Sequence, residues 1–131
     1  MSKISCLCGH TIVDQTDDLP YKAAFIADQD QTTCFGLFFQ FVADLLEARE
    51  QGRQNDFLEQ QFGADYPRDL ELRSILNDAF TFNAFSHKMY ECEVCGRLWI
   101  QTKPQENIFV SYLPETEVRG ILRSTRKTTD G

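Results

Sequence analysis

The strongest periodic signal in the chain is helical. From about Thr33 to Glu50, Gly36, Gln40, Asp44, Glu47 and Gln51 recur at i, i+4, i+8, i+11 and i+15, which is one polar stripe on a helix. The rest of that segment is apolar: Phe35, Leu37, Phe38, Phe39, Phe41, Val42, Leu45 and Leu46 cover more than the ~100° face of an ordinary surface helix. It reads as the central core helix or as a helix that also meets another chain. A second helix is expected from Asn55 to Phe62, with Asn55 as N-cap and Gly63 closing it. A third is expected to start with Pro67 at its first position and Asp69 in its first turn. Its polar stripe is Glu71, Ser74, Asp78 and Thr81, against an apolar face of Leu72, Ile75, Leu76 and Ala79.

The flanks follow a different pattern. Lys3 to Cys6 and Thr11 to Asp14 read as two short strands folded back around Cys8-Gly9-His10. After Ser86, three more segments look like strands: Lys88 to Cys92, Arg97 to Gln101, and Ile108 to Leu113, with Pro104 in the turn before the last. Residues 22–28 fit a strand or a short helix equally well. The resulting expectation is a single α+β domain over residues 1–123, with a helical insertion at about 31–86 and a polar tail at 124–131. An antiparallel sheet made from both chain ends would pack on the helices.

Charge narrows the partners. The net charge of -7 is uneven: nine Lys/Arg face seventeen Asp/Glu through residue 114, whereas four face three from residue 115 onward. An acidic body repels phosphate backbones, so nucleic acid is disfavoured and a basic protein partner is favoured. No apolar run approaches the ~20 residues of a membrane span, and MSKISCLCG lacks the apolar core of a signal peptide. A cytoplasmic protein with no membrane partner is the expectation. With 42% hydrophobic residues, a disordered chain is excluded.

The five cysteines carry the candidate chemistry. Cys6-Leu7-Cys8-Gly9 and Cys92-Glu93-Val94-Cys95-Gly96 are two pairs, each ending in Cys-Gly. Two thiolates on a tight turn can grip one metal ion, and the glycine supplies the backbone conformation such a knuckle needs. Two facing knuckles give four sulfurs in a tetrahedron, which selects zinc over harder ions. The arrangement resembles the zinc-ribbon, or rubredoxin-like knuckle, class at Cys92, Cys95 and Gly96, flanked by KMYE and RLWIQ. At Cys6 and Cys8 the usual two-residue spacer is reduced to Leu7, which leaves room for His10 to replace one of that pair.

The resemblance implies one structural zinc ion held by Cys6, Cys8, Cys92 and Cys95, with no coordination position left for substrate. Lys88, Arg97 and His10 would then offset its negative charge from nearby. Two other readings stay open: a Cys6–Cys8 disulfide, which a reducing cytosol disfavours, and a Cys92–Cys95 redox pair, which a following helix would support but a following strand does not. Cys34 reads as a core residue. Trp99 reads as packing over the metal site, with a partner anchor as the alternative.

Catalytic motifs are missing. The chain has no H-x-E with P-C-x-x-C, no HExxH, no P-loop lysine motif and no G-x-S-x-G. Glu93 would be an acid or base only beside an open metal. Asp28-Gln29-Asp30 lacks the remaining ligands of a calcium loop. The expected function is therefore a non-catalytic zinc-binding protein acting through protein–protein interaction, with the profile of small immunity or accessory factors. One alternative is a nucleic-acid-associated zinc ribbon using Arg119, Arg123, Arg126 and Lys127. The other is a zinc hydrolase or deaminase.

Overall fold

The structure is a computed structural model, and it describes residues 2–126. The order of elements is β1 (Ser2–Ser5), β2 (Thr11–Asp14), β3 (Lys22–Phe25), α1 (Asp28–Glu50), α2 (Gln54–Phe62), α3 (Leu72–Ala79), α4 (Phe82–Phe85), β4 (His87–Glu91), β5 (Leu98–Gln101) and β6 (Phe109–Tyr112). The α+β class is as expected. The strands form two antiparallel sheets: a β1-β2 hairpin, and a four-stranded sheet in the order β3-β4-β5-β6. Residues 22–25, ambiguous in sequence, are the first strand of the larger sheet, with Ala23 opposite Met89.

The chain divides into two compact units, one running to Ile26 and resuming at Ser86, the other being Ala27–Phe85. The helices are thus inserted between two paired strands, because Phe25 at the end of β3 lies opposite His87 at the start of β4.

In the β unit, the hairpin is tied to the larger sheet by side chains. Tyr21 donates a hydroxyl hydrogen bond to the Val13 carbonyl, and Tyr90 donates one to the Asp14 carboxylate. Lys22 Nζ lies 2.7 Å from the same Asp14 oxygen. Burial pushes the Asp14 carboxyl up, but Lys22 and Tyr90 outweigh it and hold it below the usual carboxylate range. Ile12, Tyr90, Cys6 and Cys92 form the buried core of this unit, with Ile4, Tyr21, Cys95, Trp99 and Phe109 packed against it.

In the helical unit, Phe41, Leu45, Leu58 and Ile75 form the core. The helix termini differ from the sequence expectation. α1 begins at Asp28, more than a turn earlier than the apolar periodicity indicates, and Asp28 and Asp30 lie in its first turn, where the helix dipole favours negative charge. It ends in a Schellman turn: Gly52, at φ 71°, sends its N–H to the Arg49 carbonyl, and Arg53 sends its N–H to that of Ala48. α2 follows directly, with Arg53 as N-cap in place of Asn55 and with no side-chain cap bond. α3 starts at Leu72 in place of Pro67, because Asp69 has φ 62° and breaks the helical path. Gly63 closes α2 as expected, with its N–H on the Glu59 carbonyl. Cys34 is a buried core residue beside Thr81, whose hydroxyl donates to the Cys34 carbonyl at 2.8 Å. No helix among the described residues is long and apolar enough to cross a membrane.

Candidate metal centre

The two knuckles are the turns β1–β2 and β4–β5, and their backbones are versions of one design. In the second, the Gly96 N–H donates to the Cys92 carbonyl at 2.8 Å, and the Cys92 N–H donates to the Arg97 carbonyl at 2.8 Å. In the first, the Gly9 N–H donates to the Cys6 carbonyl at 3.0 Å, and the Cys6 N–H donates to the His10 carbonyl at 2.8 Å. The first knuckle is the second shortened by one residue, which is where the missing spacer went. Both glycines have positive φ, 96° at Gly9 and 83° at Gly96, a region that a side chain would make strained.

The turns bring four sulfurs together. Cys6 Sγ lies 3.5 Å from Cys95 Sγ, Cys8 Sγ lies 3.5 Å from Cys92 Sγ, and all four lie within 4.8 Å of one another. A tetrahedron with ~2.3 Å metal–sulfur bonds has edges of about 3.8 Å, so the cluster is the right size for one ion. All five cysteines are free, so neither Cys6–Cys8 nor Cys92–Cys95 is a disulfide. His10 is not a member of the cluster and contributes its backbone carbonyl.

The surroundings suit negatively charged sulfur. Backbone N–H groups of Cys8, of Val94 and Cys95, and of Arg97 point at the sulfurs of Cys6, Cys92 and Cys95 respectively. Trp99 Nε1 donates to Cys6 Sγ at 3.4 Å, and Arg97 Nη1 donates to Cys95 Sγ at 3.3 Å. Trp99 therefore packs on the site, and Arg97 offsets its charge. Lys88 does not touch the sulfurs; its charge acts on Asp14.

The thiols differ in acidity. Burial pushes Cys92 up to about 12 despite the N–H groups aimed at it. Burial also raises Cys95, but the Arg97 N–H and guanidinium outweigh it and bring that thiol down to about 6. Cys6 is lowered too: the Cys8 N–H and the Trp99 indole overcome its burial. Burial thus favours the protonated form at Cys92, while the hydrogen bonds to Cys95 and Cys6 favour their thiolates.

Residues 2–116 match the model of a domain of unknown function, DUF8617. The chain belongs to that family. The match takes in all four cysteines and every helix and strand, and it does not identify a zinc-ribbon family. No curated protein and no solved structure gives a significant match.

One part of the site lies beyond the family match and had no signal in the sequence. The segment Val118–Arg123 straps the second knuckle. Arg119 Nε and Nη2 donate to the Val94 carbonyl at 3.2 and 3.1 Å, the Gly120 N–H donates to the buried Glu91 carboxylate at 2.7 Å, and Arg123 pairs with Glu93 at 3.3 Å. Arg119 and Arg123, expected as part of a basic tail surface, are thus spent inside the β unit, and Glu93 is an ion-pair partner. Arg126 is exposed, and Lys127 lies outside the described residues, as does most of the expected polar tail.

Proposed function

We propose that this family member is a non-catalytic zinc-binding protein that acts by docking another protein. The observation that carries the zinc reading is the convergence of four cysteine sulfurs. Four soft ligands in a tetrahedron suit Zn²⁺, and with all four bound no position is left for water or substrate. Cys6, Cys8, Cys92 and Cys95 would hold the ion, and the ion would staple the hairpin to the four-stranded sheet. This argues against a hydrolase or deaminase, which requires an open position.

The acidic balance supports a basic protein as partner, since opposite charge would steer and speed their encounter. The internal pairing of Arg119 and Arg123 weakens the nucleic-acid alternative. Zinc is tested by elemental analysis: one zinc per chain is expected, and a metal content near zero overturns the reading. Docking is tested by capture from the source cell, followed by binding of the purified captured species at rising salt. A basic protein whose association slows with salt is expected. Recovery of RNA or DNA in its place overturns the reading.

A further inference from the structure

The four clustered sulfurs are not equally placed. Cys92 has no exposed surface, Cys6 is 5% exposed and Cys95 is half-buried, whereas Cys8 is exposed. Donors are aimed at the three enclosed sulfurs: the Trp99 indole at Cys6, the Arg97 guanidinium at Cys95, and the Val94 and Cys95 N–H groups at Cys92. A hydrogen bond draws electron density from sulfur and enclosure keeps reagents out, so the reactive member of the cluster is Cys8. The contacts between sulfurs also have a direction. Cys8 Sγ meets Cys92 Sγ and Cys6 Sγ meets Cys95 Sγ, each at 3.5 Å, so both contacts run from one knuckle to the other. A covalent bond along either one would join the hairpin to the four-stranded sheet, as the metal would.

We propose, resting on the zinc reading above, that the cluster is a peroxide-responsive modification site: oxidation starts at Cys8, pairs it with Cys92, and expels the zinc while the hairpin stays stapled. Bound zinc holds its sulfurs as thiolates, the form that attacks peroxide. The Cys8 sulfur attacks one peroxide oxygen; an S–O bond forms, the O–O bond breaks, and hydroxide leaves with that bond's electron pair. The Cys92 thiolate then attacks the Cys8 sulfenic sulfur; an S–S bond forms, the S–O bond breaks, and a second hydroxide leaves. The two sulfurs together lose two electrons, the peroxide gains them, and both hydroxides take protons from solvent to become water. Zinc is left with Cys6 and Cys95 and departs, which opens that pair to a second peroxide by the same steps. The Tyr90–Asp14, Tyr21–Val13 and Lys22–Asp14 ties keep the hairpin on the sheet throughout, so each thiol stays opposite its partner. Cys34, 1% exposed, takes no part.

The test treats the full chain, reduced and zinc-loaded, with hydrogen peroxide beside a chromophoric zinc chelator. Products are alkylated and mapped by peptide mass spectrometry, with fragmentation between the paired cysteines. Zinc release should follow the peroxide added, with Cys8–Cys92 as the first disulfide, Cys6–Cys95 as the second, Cys34 alkylated throughout and the circular dichroism retained. A dithiol reductant should restore both the thiols and zinc uptake. Cys8→Ser should slow release by more than about ten-fold once release without peroxide is subtracted, and Cys34→Ser should leave the rate unchanged. A reduced chain that binds no zinc overturns the zinc reading and this proposal together. A chain that binds zinc but keeps it under peroxide overturns this proposal alone. So does a first disulfide within one knuckle, or a Cys8→Ser release rate equal to that of the unmodified sequence.

Discussion

The two knuckles use the same chemistry in different enclosures. The second is buried and braced: Cys92 has no exposed surface, Gly96 is buried, and the Arg119 strap lies on the turn. The first has an exposed Cys8, Leu7 at 73% exposure and nothing within 4 Å of where a Gly9 side chain would begin. A metal site joining a rigid half to an open half should lose metal by one route. The open knuckle lets go first, and the braced knuckle holds its shape. That ordering can be broken or sharpened by substitution.

The largest effect is expected at Cys92. Cys92→Ser leaves a fully enclosed ligand position that water cannot fill, and it should cost more than about 4 kcal/mol and abolish metal retention. Cys8→Ser, at a solvent-open position, should leave a weaker but measurable metal complex in competition with a chromophoric chelator. Equal losses at the two positions would erase the distinction between the knuckles.

The glycines come next. A Cβ at Gly96 would lie 2.6 Å from Arg119 Nη1 and 3.0 Å from the Val118 carbonyl, on a backbone already at φ 83°. Gly96→Ala should destabilise by about 2–3 kcal/mol in thermal melts, and Gly9→Ala, strained only by its φ of 96°, by about 1 kcal/mol. Arg119→Ala removes the forked donation to Val94 without touching a ligand. It should cost about 1 kcal/mol and partly relieve the Gly96→Ala penalty, since the atom that clashes is gone. Additive losses would mean that the strap and the knuckle are not in contact in solution.

The smallest effect is in the pH dependence of the metal-free, reduced protein. Cys95 has a folded value below the ordinary 9.0, so its contribution is full above pH 9 and is lost as pH falls through about 6. Cys92 has a folded value raised toward 12, so its contribution is present below pH 9 and is lost as pH rises toward 12. From these two thiols, denaturant titrations should place a stability maximum near pH 9. Metal loading should remove this maximum, because both sulfurs are then fixed as thiolates. A flat profile in the metal-free protein would show that the second knuckle does not hold its two thiols differently.

What was legible in the sequence follows from locality. Each knuckle is a few residues whose Cys-Gly spacing states its own geometry, and the flanking strands alternate clearly enough to place them within a residue or two. The start of α1 was hidden because Asp28 to Thr32 is uniformly polar and has no apolar period. The start of α3 was misplaced because Pro67 is a strong local signal, and the positive φ at Asp69 that overrides it is set by the surrounding fold. The ties between distant segments were invisible for the same reason. Asp14 with Tyr90, and Arg119 with the Val94 carbonyl, join positions 76 and 25 residues apart by one and two hydrogen bonds that no periodicity announces. The shortened first knuckle was legible as an irregularity, and only the backbone shows it to be the same turn with one residue removed.

The central claim, a closed site of four cysteine sulfurs holding zinc, is tested most directly by X-ray absorption at the zinc edge on the protein as purified. The account predicts one shell of four sulfurs at ~2.3 Å and no nitrogen or oxygen ligand. A shell with a nitrogen or oxygen scatterer at ~2.0 Å would place His10 or water on the metal, and an absent zinc edge would contradict the claim outright.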